Sequence, residues 1–156
     1  MENDQLPLRV GVGIVVLNKK NRVFVAKRRD NPVNKWQMPQ GGVDPGEELI
    51  DAMERELFEE TGITSFKILK NLDYWLEYNL PKHLLGIIWK GKYRGQKQKW
   101  FIVRFTGSDE EINLKTTNQE FIEWKWIEIK KLPNVIVNFK KHIYEKIVEE
   151  LNDFID

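Results

Sequence analysis

The segment from Gly41 to Ile63 constrains this chain most, because a glycine-rich loop leads into a helical segment that ends at another glycine. Apolar residues recur along positions 48–61 with the spacing of a helix that buries one side. Gly62 stands where a left-handed residue commonly closes a helix. The pattern therefore predicts a loop, a helix over Glu48 to Thr61 and a second loop.

Three glutamates on this predicted helix share one face. Glu56, Glu59 and Glu60 are separated by three and four residues, so their carboxylates converge. Like charges at this spacing cost about 0.2–0.5 kcal/mol per pair, which a solvated surface tolerates. A bound divalent cation would instead make the arrangement favourable. Spacing alone favours the solvated acidic face and leaves a metal site open.

The rest of the chain alternates strand and helix signals. Apolar runs at Val10 to Leu17 and Arg22 to Lys27, joined by a turn-like segment, predict a hairpin. An irregular loop follows from Arg28 to Gln40. Further strands are expected at Lys67 to Leu72, Leu85 to Trp89, Lys97 to Phe105 and Glu123 to Ile129, and a final helix carries an apolar stripe from Val135 to Phe154. This order implies a mixed sheet packed by helices on its faces.

Composition bounds the function. With 156 residues, 41% hydrophobic and 31% charged, the chain is expected to fold as one domain over residues 1–156. A net charge of +1 predicts that a polyanion would need a local basic patch. The absence of cysteine excludes thiolate chemistry and suits a reducing compartment. Without a signal-peptide pattern or a long apolar run, we expect a cytoplasmic protein that binds neither DNA nor membranes.

Other motifs carry little. Gly11-Val12-Gly13 begins like a dinucleotide fingerprint, but Val16 stands where that motif needs glycine. His83 and His142 have no partner at metal or triad spacing, so structural or exposed roles are expected for both.

The complete pattern around the glutamates resembles the motif of the Nudix hydrolases. That motif is a glycine, a glutamate six residues later, and an Arg-Glu-aliphatic-any-Glu-Glu-any-Gly-aliphatic run. Every fixed position is present, within residues 41–63: Gly41, Glu47, Arg55, Glu56, Leu57, Glu59, Glu60, Gly62 and Ile63. The resemblance implies an α+β Nudix fold, a mixed β-sheet sandwiched between α-helices, and metal-dependent hydrolysis of a pyrophosphate bond.

The resemblance also implies roles for individual residues. Glu56, Glu59 and Glu60 would bind Mg²⁺ or Mn²⁺, with Gly41 close to the metal or phosphate. Glu47 is expected to pair with Arg55, although a simple surface ion pair is the alternative. Glu120 matches a glutamate that relatives use at the site and is our candidate general base; an ordinary surface glutamate is the alternative.

Stretches outside the motif resemble the bacterial RNA pyrophosphohydrolase group and its dinucleoside polyphosphate hydrolase relatives. They include positions 9–15, 36–42, 75–82, 95–101, 111–114 and 139–140. The implied substrate is the 5′-triphosphate end of RNA, or a dinucleoside polyphosphate such as diadenosine tetraphosphate. The implied substrate contacts are Arg9, Arg28, Gln40, Tyr78, Gln96, Lys97, Lys99, Phe139 and Lys140. The loop at positions 29–35 is longer than in the enteric members, and Glu77 and Asn79 replace basic residues.

Residue chemistry allows two interpretations of the segment around these contacts. Positions 90–99 hold five basic residues and no acidic one, beside Trp89, Tyr93 and Trp100, which suits phosphate binding and base stacking. A solvated basic hairpin with core aromatics fits equally well. Phe139 lies on the apolar stripe of the last helix, so a core role is also open for it. A non-catalytic nucleotide- or RNA-binding module would be expected to lack some motif glutamates, and all four are present.

Overall fold

The computed structural model describes residues 5–30 and 34–155, which form a mixed seven-stranded sheet with helices on both faces. The strands are β1 (Leu8–Leu17), β2 (Val23–Arg28), β3 (Gln40–Gly42), β4 (Phe66–Asn71), β5 (Leu76–Asn79), β6 (Gly95–Phe105) and β7 (Phe121–Ile127). The helices are α1 (Leu49–Thr61), the short α2 (Leu132–Val135) and α3 (Lys141–Phe154). The predicted α+β sandwich is confirmed.

The sheet is organised around β1 and β6, which run parallel and pair along the whole length of β1. The main order is β4-β6-β1-β2-β7, while β3 pairs with β1 and β5 pairs with β6. Both faces of β1 are buried, which explains its continuous apolar sequence. The predicted hairpin joins β1 to β2 with Leu17 opposite Val23, and beyond that point β2 turns away to pair with β7.

Helix α1 covers one face of the sheet and ends as predicted. Gly62 adopts φ 76°, and its N–H donates to the Phe58 carbonyl at 2.8 Å. Ala52, Met53 and Leu57 are fully buried and pack with β1 and β2 residues. This packing fixes the rotation of α1 and turns Glu56 and Glu60 toward β3, where Glu56 lies against Gly41 and Glu60 accepts the Gln40 N–H.

The second face is covered by α3, whose Ile143, Tyr144, Ile147 and Leu151 are buried in the other half of the core. The predicted continuous helix from Val135 to Phe154 is interrupted. Ile136 is extended, and the Val135 carbonyl accepts a hydrogen bond from the Trp36 N–H at 2.8 Å. That carbonyl would otherwise accept the N–H four residues later, so the tertiary contact ends α2 there.

Three further segments differ from the sequence-based expectation. The strand predicted at Leu85 to Trp89 is wrong: this region forms turns and a short 3₁₀ helix at Ile88–Gly91. Gly86, Trp89, Lys90 and Gly91 all have positive φ, which an extended strand does not accommodate. Strands β3 and β5 were not predicted, because three or four residues carry too little periodicity. Part of the predicted loop at positions 29–35 lies outside the described residues.

Within residues 5–30 and 34–155, every helix is too short or too polar to cross a bilayer.

Candidate active site

Arg55 ties the loop after β3 to helix α1. Its Nε and Nη2 donate to the two oxygens of Glu47 at 2.8 and 2.9 Å. Nη2 also donates to the Gly42 carbonyl at 2.9 Å. The bidentate arginine lowers the pKa of Glu47 to about 2, so this carboxylate is ionised at neutral pH. The expected Glu47–Arg55 pair therefore joins the loop after β3 to helix α1.

Arg55 also reaches two of the helix glutamates. Its Nη1 donates to Glu56 at 2.9 Å and to Glu59 at 3.3 Å. The Glu56 side chain is 14% exposed, whereas that of Glu59 is 55% exposed. Burial raises the pKa of Glu56 to about 7 even though Arg55 opposes the shift. One cation thus holds the carboxylates together while leaving the cluster short of positive charge.

Gly41 lies directly beneath the Glu56 carboxyl group. A Cβ built on Gly41 would stand 2.0 Å from the Glu56 Cδ. Only a residue without a side chain lets β3 approach the glutamate this closely. The family resemblance implied that Gly41 lies close to the metal or phosphate. In this structure Gly41 lies close to Glu56, a residue predicted to bind the metal.

Glu60 is the most buried of the predicted metal-binding glutamates, at 2% exposure. Its Oε1 accepts the Gln40 N–H at 3.0 Å. Throughout the described chain no donor reaches its Oε2, although that atom is buried. Burial, together with repulsion from Glu120 and Glu56, raises the pKa of Glu60 well above its usual value. A buried carboxylate oxygen without a partner is unfavourable unless a cation or proton occupies it.

Glu120 precedes β7 and faces the helix glutamates from another element. Its carboxylate is 45% exposed and lies 3.7 Å from Arg28 Nη1. The Glu120 charge helps to raise the pKa of both Glu56 and Glu60. The structure therefore brings Glu120 close to the helix glutamates, as the family resemblance implied.

A small acidic cleft of about 250 Å³ opens beside these carboxylates. The buried Thr116 hydroxyl at its edge has no hydrogen-bond partner among residues 5–30 and 34–155. Oxygen donors of this kind suit hard divalent cations. As they stand, the described side chains form no group of three or more His, Cys, Asp or Glu in metal-binding geometry. The residues that line this acidic cleft are Glu56, Phe58, Glu59, Glu60, Thr116, Thr117, Asn118 and Glu120.

A larger cleft of about 650 Å³ lies on the other side of Glu56 and Glu120 and is lined by cations and aromatic rings. Arg9 and Arg28 enter it from β1 and β2, and Lys140 enters it from the segment before α3. Arg28 is paired with Asp30 at 2.9 Å, an interaction that the sequence did not suggest. His83, expected to be structural or exposed, is also at the wall of this cleft.

The floor of the large cleft is a hydrogen-bonded network. The Tyr78 hydroxyl donates to Gln96 Oε1 at 2.9 Å, and Gln98 Nε2 donates to Gln40 Oε1 at 3.0 Å. Tyr78 and Gln40 line the cleft, whereas Gln96 is fully buried behind Tyr78. Burial raises the pKa of Tyr78 to about 12, so its hydroxyl remains protonated. Gln96 therefore does not line the cleft itself; it supports Tyr78, which does.

Phe139 and Lys140 form the opposite wall. The Phe139 ring packs on Tyr78 with centroids 5.6 Å apart, and the Lys140 ammonium lies 5.1 Å from the Tyr78 ring centre. Burial and the nearby Arg28 charge lower the pKa of Lys140 to about 8. Phe139 is half-buried, so it has both a core contact and a surface in the cleft.

Most of the predicted basic and aromatic segment lies outside the lining of this cleft, including Lys97, Lys99 and Trp100. The ammonium groups of Lys97 and Lys99 lie 4.9 and 5.3 Å from the ring centre of Trp75. Trp100, considered as a stacking residue, is fully buried and packs edge-on against Tyr144. The alternation of β6 places Lys97 and Lys99 on the face opposite Gln96, Gln98 and Trp100. Trp89 does line the cleft.

Comparison with known proteins places this fold and motif in one family. The NUDIX domain model matches residues 7–147. The RNA pyrophosphohydrolase of Pelagibacter ubique (strain HTCC1062) is 58% identical over 151 residues, covering 97% of this chain and 96% of that relative. The RNA pyrophosphohydrolase of Rickettsia conorii is 43% identical, covering 96% of this chain and 93% of that relative.

Solved structures share the architecture. The E. coli dihydroneopterin triphosphate pyrophosphohydrolase superposes with a TM-score of 0.71 at 20% identity, covering 92% of this chain and 99% of that one. A C. elegans Ap4A hydrolase complex gives a TM-score of 0.68 at 23% identity, covering 94% and 99%. The family match, the near-full-length relatives and the complete glutamate motif agree. The chain belongs to the Nudix hydrolase family, whose members generally use divalent metal ions to hydrolyse pyrophosphate bonds.

Proposed function

We propose that this protein removes pyrophosphate from the 5′-triphosphate end of RNA, leaves a 5′-monophosphate and so promotes transcript decay. The observation that carries this proposal is the junction of two clefts. A cationic, aromatic-lined cleft of about 650 Å³ meets the acidic cleft at Glu56 and Glu120. The relatives with 58% and 43% identity over nearly their full lengths bear the name RNA pyrophosphohydrolase.

The proposed ligands for Mg²⁺ or Mn²⁺ are Glu56, Glu59, Glu60 and Glu120, with Gly41 beside them. The unpartnered, buried Glu60 Oε2 supports this assignment, as do the raised pKa values of Glu56 and Glu60. Each is what an oxygen site short of positive charge would display. When bound, such ions neutralise phosphate oxygens and lower the pKa of a water molecule.

The chain's own residues would orient the metal-binding glutamates and take a proton from the attacking water. Arg55, held by Glu47, fixes the positions of Glu56 and Glu59. Glu120, or one of the helix glutamates, accepts the proton of the attacking water. The water oxygen bonds to phosphorus as the anhydride P–O bond breaks, and pyrophosphate leaves with the bonding electrons.

Substrate binding would use the large cleft. Its volume lies within the range of about 300–1,000 Å³ that is usual for small-molecule sites, so it suits the terminal nucleotides of an RNA. Arg9, Arg28 and Lys140 supply positive charge for phosphates, and Phe139 supplies a ring for a base. We further propose that the protein acts in the cytoplasm, where its RNA substrate is made.

A dinucleoside polyphosphate, such as diadenosine tetraphosphate, is the second candidate substrate. The aromatic rings that line the cleft form two separate groups, Trp89 on its own and Tyr78 with Phe139. Separate groups of this kind suit a ligand that carries a base at each end of a phosphate chain. The C. elegans Ap4A hydrolase has the same fold as this chain.

The two substrates can be compared directly. Purified protein with Mg²⁺ or Mn²⁺ should release pyrophosphate from 5′-triphosphate RNA with a higher kcat/KM than it shows for diadenosine tetraphosphate. A higher value for the dinucleotide would reverse the substrate assignment. Glu59→Gln should abolish turnover with the fold retained by circular dichroism, because Glu59 is exposed. Unchanged turnover in this variant would refute the catalytic proposal for the helix glutamates.

A further inference from the structure

We propose that Trp89 is a positioning residue that holds the Arg9 guanidinium against the polyphosphate of the substrate, and that no carboxylate among residues 5–30 and 34–155 compensates this cation. The Arg9 Cζ lies 5.2 Å from the centre of the Trp89 ring, within the range of a cation–π contact. Both residues line the large cleft. The inference rests on the proposed function, since it assigns Arg9 to phosphate binding.

The second side of Arg9 is fixed by the backbone of β3. A Cβ built on Gly42 would stand 2.3 Å from Arg9 Nη2, so the guanidinium lies directly over this glycine. Gly42 follows Gly41, which lies against the Glu56 carboxylate. Arg9 is therefore held between an aromatic ring and the strand that adjoins the proposed metal ligands, where the phosphates must lie for the reaction.

The kind of partner determines how much charge Arg9 can offer. Arg28 is paired with Asp30 at 2.9 Å and lies 3.7 Å from Glu120, so its charge is largely compensated. For Arg9, no carboxylate lies within 4.0 Å among residues 5–30 and 34–155. A ring orients a cation through its quadrupole without neutralising it. Arg9 thus reaches the substrate with its full charge.

The backbone around Trp89 is shaped for this contact. Trp89 and Lys90 adopt φ values of 51° and 58°, which bulky residues rarely occupy, and Tyr93 packs edge-on against the Trp89 ring. Strained residues persist where the surrounding contacts determine them. Here those contacts are the Arg9 guanidinium and the Tyr93 ring, which keep Trp89 in the cleft wall.

The test is a double-mutant cycle of Trp89→Ala and Arg9→Ala. Trp89→Ala should weaken binding of inorganic tripolyphosphate, measured by calorimetry with Mg²⁺, by about threefold to tenfold. It should raise the KM for 5′-triphosphate RNA by a similar factor and leave kcat unchanged. Trp89→Phe should restore much of the affinity. In the Arg9→Ala background, Trp89→Ala should have no further effect.

Trp75→Ala is the matched control, because Trp75 also carries lysine cations but lies outside the cleft; it should leave tripolyphosphate affinity unchanged. Full effects of Trp89→Ala in the Arg9→Ala background would overturn the proposal. So would loss of nucleotide affinity with unchanged tripolyphosphate affinity, which would make Trp89 a base platform instead. Because tripolyphosphate carries no RNA, this result is independent of whether RNA proves to be the substrate.

Discussion

Gly41 lies so close to Glu56 that a methyl group on Gly41 would stand 2.0 Å from the Glu56 carboxyl carbon. Gly41→Ala must therefore displace either β3 or the carboxylate. Misplacing a reacting group by about 1 Å costs on the order of 100-fold in rate, so we expect a kcat loss of about that size. Steady-state kinetics with saturating Mg²⁺ measures it.

Gly107 offers a matched control for Gly41. Its added Cβ would stand 2.3 Å from Glu111 Oε1, so the same substitution again crowds a glutamate, at a site remote from both clefts. Gly107→Ala should lower the Tm and leave kcat within about twofold of wild type. An equal loss of kcat in both variants would show that crowding acts through general stability.

Arg55 should not be replaceable by lysine. Its guanidinium donates to Glu47, Gly42 and Glu56 at the same time, and a single ammonium group lacks that planar fork. Arg55→Lys should lower kcat by about tenfold to 100-fold, a loss typical of altered support around a metal site. Arg104→Lys is the control: Arg104 also bridges two groups, Asn18 and Asn21, but away from the site, so it should affect stability alone.

The glutamate motif was predictable because its geometry is local. Residues three and four apart on one helix share a face wherever that helix lies, and Gly62 closes the helix by its own backbone conformation. The helix bounds and the Glu47–Arg55 pair followed from spacing and from the family pattern. Glu120 came from family resemblance, since it stands 60 positions from Glu60 in sequence.

The wall of the large cleft was harder to predict because it depends on distant pairing. Lys97 and Lys99 share a strand with Gln96, but strand alternation sends them to the other face of the sheet. A basic and aromatic composition does not specify that alternation. Trp89 lies in a segment whose positive φ values have no signal beyond the flanking glycines, so it was placed in a strand.

Tyr144 supports the segment that leads into β3 from a helix 106 residues away in sequence. Its hydroxyl accepts the Met38 N–H at 2.7 Å in the core, two residues before β3. Tyr144→Phe leaves that buried N–H without a partner and should reduce the free energy of unfolding by about 1–3 kcal/mol. Urea denaturation measures the change. Tyr93→Phe, a partly exposed tyrosine, should change it by less than about 0.5 kcal/mol, and equal effects would contradict this assignment.

Glu111 should make stability depend on acid pH. Hydrogen bonds from Ser65 and from the Thr64 and Ser65 N–H groups lower the pKa of this carboxyl in the folded state. Because the folded pKa is depressed, the contribution is fully present above the unfolded value of 4.5 and is lost as pH falls through the folded value. Glu111→Gln should therefore be less stable than wild type at pH 7, with the difference shrinking below about pH 4.5. A pH-independent difference in urea denaturation would refute this origin.

Replacing Glu60 should raise the stability of the protein and lower its activity. The buried carboxylate of Glu60 has an unpartnered oxygen and is repelled by Glu120 and Glu56. Glu60→Gln keeps the acceptor for the Gln40 N–H and removes the buried charge, so without divalent metal it should be about 1–3 kcal/mol more stable than wild type. Its turnover should fall by at least about 100-fold, because a proposed metal ligand is lost. Glu59→Gln, which alters an exposed carboxylate, should lose turnover without gaining stability. Thermal unfolding in EDTA, paired with steady-state kinetics, separates the two variants, and a destabilised or fully active Glu60→Gln would contradict the assignment of a charge-deficient site.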